Sequence, residues 1–143
     1  MNYVKIKRKT KPDEIGVNGY CVTREEYDKA MNDDRLKELI KSGNLKCNCT
    51  KDFSDGTAIE FMTIDLENVY GTITEITDDY ISIIPSKEYE ELINELVKSD
   101  KIRMGMRYIT NRVEEKNGIK YCKDIKIITF DIIMDDKEDK YYE

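Results

Sequence analysis

The sequence has no histidine and no tryptophan, only two prolines and seven glycines, and four cysteines in 143 residues. The missing imidazole excludes Ser-His and Cys-His nucleophile pairs, histidine metal sites and an imidazole acid–base tuned near neutral pH. So few prolines and glycines do not make a linker-rich or low-complexity chain. No stretch approaches the roughly 18 apolar residues of a membrane span. The opening Met1-Asn2-Tyr3-Val4-Lys5 also lacks the apolar run of a signal peptide. These absences predict a protein that stays in the cytoplasm of the cell that makes it, with its cysteines as reduced thiols. Neither GxxxxGKS/T nor GxGxxG occurs, so there is no ready phosphate cradle.

Hydrophobic residues make up 39% of the chain, enough for one packed core in a domain of this length. Charged residues make up 38%, against roughly 25% in an average globular chain, so the surface is almost wholly ionic. A single α+β domain is predicted over residues 1–134, with a charged, fraying tail over 135–143. The net charge of −6 is uneven. Lys5, Lys7, Arg8, Lys9 and Lys11 stand in the first twelve residues without an acid, whereas the last thirteen hold six acids and two lysines. An acidic balance argues against general nucleic-acid binding. The basic start reads as a solvated strand edge whose lysines discourage aggregation.

Hydrophobic periodicity sets the expected elements. Tyr3 to Lys7 alternates as an edge strand does, and Tyr20-Cys21-Val22 is a short strand before a helix. Thr23 and Glu26 have capping-box spacing, and Asp33 or Asp34 caps a second helix with Leu36, Leu39 and Ile40 inward and Gly43 closing it. Asp52 to Gly56 reads as a turn or loop. Two hairpins follow, one turning at Asp78-Asp79 and one at Asn117-Gly118. Between them Tyr89, Leu92, Ile93, Leu96 and Val97 form one apolar helical stripe. The long return strand runs from Ile119 to Ile133 and bends. The pattern predicts a small, mostly antiparallel sheet or barrel with two hairpins and two to three flanking helices.

Candidate chemistry is sparse. Ser86-Lys87 sits at a helix start, where serine serves as a cap. Cys47 and Cys49 share a face if residues 45–49 are a strand, and with Cys122 and Cys21 they could offer four thiolates to zinc. The spacing is not that of a zinc knuckle, so free thiols and no cofactor are the reading. Arg103 and Arg107 flank Gly105 on one strand face, with Arg112 further on. Together they suggest a seat for a nucleotide-like small anion, against a plainer reading as a face paired with the protein's own acids.

Three segments carry a resemblance to the prohead maturation proteases of tailed phages, whose fold is related to the herpesvirus assemblins. They are Ile64-Asp65-Leu66-Glu67-Asn68-Val69, then Leu96 to Tyr108 with Met104-Gly105-Met106-Arg107, and Ile127 to Ile133. The resemblance spans about Gly19 to Asp136 and implies a shared fold. It also implies a catalytic serine just before Arg107 and a histidine near the end of Leu45 to Thr50. The first place holds Gly105 and Met106, and the second holds Cys47, Asn48 and Cys49. The expectation is therefore a non-enzymatic phage or prophage protein that binds a protein partner, phage or host, in assembly or host-factor modulation. Its ten tyrosines suit such contacts, and it could also form a homo-oligomer. Two alternatives stand. One is an anti-defence protein that sequesters a nucleotide signal at Arg103 and Arg107, or blocks a nucleic-acid-binding effector with an acidic stripe along Glu88, Glu91 and Glu95. The other is an enzyme using carboxylate, lysine or cysteine chemistry.

Overall fold

The computed structural model describes residues 2–50 and 58–134; the turn expected at Asp52 to Gly56 and the tail over 135–143 lie outside them. The fold is α+β. In chain order the elements are β1 (Val4–Lys7), β2 (Tyr20–Cys21), α1 (Arg24–Met31), α2 (Asp34–Lys41), β3 (Lys46–Cys47) and α3 (Ala58–Met62). They continue with β4 (Gly71–Ile76), β5 (Tyr80–Pro85), a 3-10 turn (Lys87–Tyr89), α4 (Glu90–Lys98), β6 (Arg103–Lys116) and β7 (Ile119–Ile133).

The strands form two sheets, β1-β5-β4-β3 and β2-β7-β6. All pairings are antiparallel except β2 with β7. Where either one sheet or a barrel was expected, the two sheets instead meet along two seams of single bridges. On one side Arg8 bridges Met104, with the Lys9 amide donating to the Met104 carbonyl at 3.0 Å. On the other Cys49 bridges Ile132, with the Thr50 amide donating to Ile132 at 2.8 Å. Apolar side chains from both sheets and the helices, among them Leu36, Ile73, Ile83, Ile93, Phe130 and Ile132, fill the space between.

Local chemistry explains the element ends. Thr23 caps α1 by accepting the Glu26 amide at 3.4 Å. The reciprocal half of the capping box is absent, because the Glu26 carboxylate accepts the Asp124 amide at 2.9 Å and so ties α1 to β7. Asp33 caps α2, accepting the Arg35 amide at 2.9 Å, and Gly43 at φ 73° ends it. The Asp78-Asp79 turn is pinned from outside, Lys11 Nζ lying 2.7 Å from Asp79 and Arg24 pairing with Asp78. Gly71 is the first residue of β4, and a Cβ there would lie 2.9 Å from Ile83 Cδ1. In α4 the stripe is narrower than expected: Ile93 is buried, but Leu92 is 45% exposed. Ser86 does not cap the helix start; its hydroxyl donates to the Val69 carbonyl at 2.8 Å. The Asn117-Gly118 turn takes φ values of 53° and 81° and joins β6 to β7. Their register shifts between Arg107 and Tyr108, the mark of a β-bulge. No helix of the described residues is long and apolar enough to cross a membrane.

Candidate functional site

The densest polar cluster lies where β3, β6 and β7 meet. Asp131 pairs with Gly105 in register and Arg107 with Thr129, so Asp131 and Arg107 are diagonal neighbours across one sheet face. Arg107 is 2% exposed and Asp131 1%. The guanidinium Nε lies 2.9 Å from Asp131 Oδ2, and Nη2 donates to Asp131 Oδ1 at 3.0 Å. Nη2 also reaches Asn48 Oδ1 at 3.2 Å, and Nη1 donates to the carbonyls of Phe61 and Thr63 at 3.2 and 3.0 Å. Both terminal nitrogens of the fork are thus hydrogen-bonded, and Nε lies against the carboxylate.

Asn48 extends the cluster. Its Nδ2 donates to the carbonyls of Asp65 and Asn68, both at 2.8 Å, and its Oδ1 accepts the Asp65 amide at 2.9 Å. The Asn48 amide itself points at Asp131 Oδ1 at 3.3 Å. One network therefore fastens residues 61–68, the end of α3 and the segment after it, to two strands through backbone groups that sequence does not specify. A charge pair this deep is made tolerable by the hydrogen bonds at Arg107 Nη1 and Nη2 and at Asp131 Oδ1.

This arrangement joins the place expected for the histidine to the residue that follows the place expected for the serine, since Asn48 and Arg107 are in direct contact. Neither place offers catalytic chemistry of the expected kind. A carboxamide takes no proton near neutral pH, and a methionine thioether has no proton to lose. Met106 faces away from the cluster, lining with Arg8, Tyr20, Tyr27 and Tyr108 a crevice with room for about one water. Cys47 is buried, and burial pushes its thiol well above the usual range. Cys49 is half-exposed beside Tyr70, whose phenol is pushed up to about 12 by burial and by its hydrogen bond to the stacked Tyr89.

The anion seat expected across Arg103, Gly105, Arg107 and Arg112 is not assembled. Gly105 and Arg107 are buried, and Arg107 is occupied internally. Arg103 pairs with Asp100 at 2.8 Å on the surface. Arg112 lies out along β6 with Glu114 at 2.7 Å and Asp124 at 3.6 Å. The strand expected to be half-buried is buried on both faces from Met104 to Arg107. Nor do the four cysteines gather. Cys47 neighbours Cys49, and Cys21 neighbours Cys122. Lys46 is bonded to Thr129, seven positions along β7 from Cys122, so the two pairs stand roughly 20 Å apart. Glu88, Glu91 and Glu95 do lie exposed along the outer side of the 3-10 turn and α4.

The basic start holds one residue that the edge reading missed. Arg8 is 7% exposed, donates to the Tyr27 hydroxyl at 2.8 Å and the Thr77 carbonyl at 3.0 Å, and lies against the rings of Tyr27 and Phe130. Period-two alternation carries the signal: the parity that buries Ile6 buries Arg8 as well.

No protein-family model matches the chain, and no curated protein sequence matches it. Its fold is similar to the solved structure of the capsid assembly protease of bacteriophage T4, with a TM-score of 0.69 and 10% sequence identity. That alignment covers 92% of this chain and 80% of the other. The fold expected from the order of segments is therefore present.

Proposed function

We propose that this is a non-catalytic protein of phage or prophage origin that works by binding a protein partner, in particle assembly or by modulating a host factor. One observation carries the reading. In a fold similar to a capsid assembly protease, Gly105 and Met106 stand where the nucleophile was expected and Cys47, Asn48 and Cys49 where the base was, and Asn48 is bound into a buried network with Arg107 and Asp131. Its groups hold backbone, and none of them is positioned as a nucleophile beside a base. The working surface is then the exterior, where the 3-10 turn and α4 present Glu88, Glu91 and Glu95 around the exposed Leu92.

The test is co-expression of a tagged chain with the capsid and scaffold proteins of the phage that encodes it. Stable co-purification with both partners intact is expected. Trimming of either partner, lost on a single substitution in this chain, refutes a purely binding role. A second reading, an acidic decoy for a nucleic-acid-binding effector, is favoured by the exposed row of glutamates on the 3-10 turn and α4. It requires that changing Glu88, Glu91 and Glu95 together to glutamine abolish effector blocking. Sequestration of a nucleotide at Arg103 and Arg107 has less support, since the cluster leaves Arg107 no free face.

A further inference from the structure

We propose that two copies of this chain associate through the outer edge of β6, antiparallel, with the two-fold axis at Val113. β6 is the end strand of its sheet. Among the described residues the end of β1 covers that edge only at its start, through Arg8 and Lys9 on Met104. From Asn111 to Lys116 every residue is exposed, and Val113, an apolar β-branched residue, is 43% exposed at the centre of the run. A bare strand edge is a template for another strand, and the sequence of this one selects its partner.

In a two-fold antiparallel pair, residues equally spaced on either side of the axis face one another, and opposed side chains share a face. Centring on Val113 sets Arg112 opposite Glu114 of the second copy, and the same pair forms again by symmetry. It also sets Asn111 opposite Glu115 and Thr110 opposite Lys116, with no like charges opposed. Centring on Arg112, Glu114 or Glu115 places two like charges on the axis, which is unfavourable for directly opposed residues. Centring on Asn111 leaves Arg112 opposite Thr110 and drives the ladder toward the end already covered by β1. Within one chain Arg112 Nη1 already lies 2.7 Å from Glu114 Oε1, so both side chains lie along one face. Pairing exchanges a contact along the strand for two across the interface, joining the two three-stranded sheets edge to edge. The inference does not depend on the functional reading above.

The experiment is sedimentation velocity of the full chain across a wide concentration range, with three variants checked for unchanged folding by circular dichroism. The wild type should rise from 16.8 kDa to twice that mass, less readily at high salt. Arg112→Glu and Glu114→Arg should each stay monomeric, because each opposes like charges across the axis. The double variant Arg112→Glu/Glu114→Arg should recover the dimer, and a mixture of the two single variants should form a heterodimer. Hydrogen exchange of the wild type should slow over 110–116 as the dimer forms. A wild type that remains monomeric, single variants that dimerise as well as the wild type, or a mixture that fails to associate each overturns the proposal.

Discussion

Replacing Arg107 with methionine keeps much of the side-chain volume and removes the guanidinium that closes the buried cluster. Asp131, 1% exposed, is left as a carboxylate without its counter-charge, and the carbonyls of Phe61 and Thr63 lose their side-chain donor. Removing one member of a buried pair costs about 3–5 kcal/mol, and each stranded carbonyl adds up to about 1–3 kcal/mol unless water reaches it. A loss of about 4 kcal/mol is a large part of the roughly 5–15 kcal/mol that holds a domain together. It should lower the melting temperature by roughly 10–20 °C. The companion variant Arg107→Met/Asp131→Leu removes both charges. It should recover about half of that loss, because the orphaned carboxylate is gone while the contacts to 61–68 are still missing. Urea titration followed by circular dichroism supplies the free energies. Hydrogen exchange at the Asp65 amide, which is held by Asn48, reports release of the segment. If Arg107→Met costs no more than about 0.5 kcal/mol, the scale of a surface substitution, the cluster is not the fastening described here.

Further outcomes follow from other parts of the molecule. A thiol reagent at pH 8 should titrate Cys49 quickly and leave Cys21, Cys47 and Cys122 until unfolding, since those three are buried; rapid loss of all four in the native protein would contradict the packing. The hydrogen bond from Arg24 holds the Asp78 carboxyl below its usual range. The unfolded chain therefore takes up that proton first as pH falls, and the pair's contribution is present above about pH 4 and lost through the lower folded value. Arg24→Gln should accordingly lower stability from about pH 4 upward, alkali included, and change little below the folded value, which flattens the acid side of a stability–pH curve. Gly71→Ala should cost about 1–3 kcal/mol in a urea melt, because its methyl meets Ile83 and the Ile84 carbonyl.

Much of the framework was legible because local signals determine it. The Asn117-Gly118 pair fixes a turn by its positive φ, the Asp78-Asp79 break separates two β-rich runs, and Thr23 and Asp33 mark helix starts. Depth was harder to read. Alternation assigns Arg103, Gly105 and Arg107 to one face, but it does not say that a second sheet edge and the segment 61–68 cover Arg107 while leaving Arg103 at the rim. The cluster is held largely by backbone carbonyls at positions 61, 63, 65 and 68, which carry no side-chain signature. Likewise the partner of Glu26 is an amide 98 residues away, which no capping rule anticipates. At Arg8 the parity was available, yet a run of five bases suggested solvent.

The most direct measurement is peptide-bond cleavage by the purified chain, read by mass spectrometry on a diverse peptide library beside an Asn48→Ala, Arg107→Met control. Indistinguishable spectra from the wild type, the control and buffer are expected on the proposal that the cluster serves only to hold backbone. A set of cleaved peptides unique to the wild type and absent from the control would make that cluster an active centre.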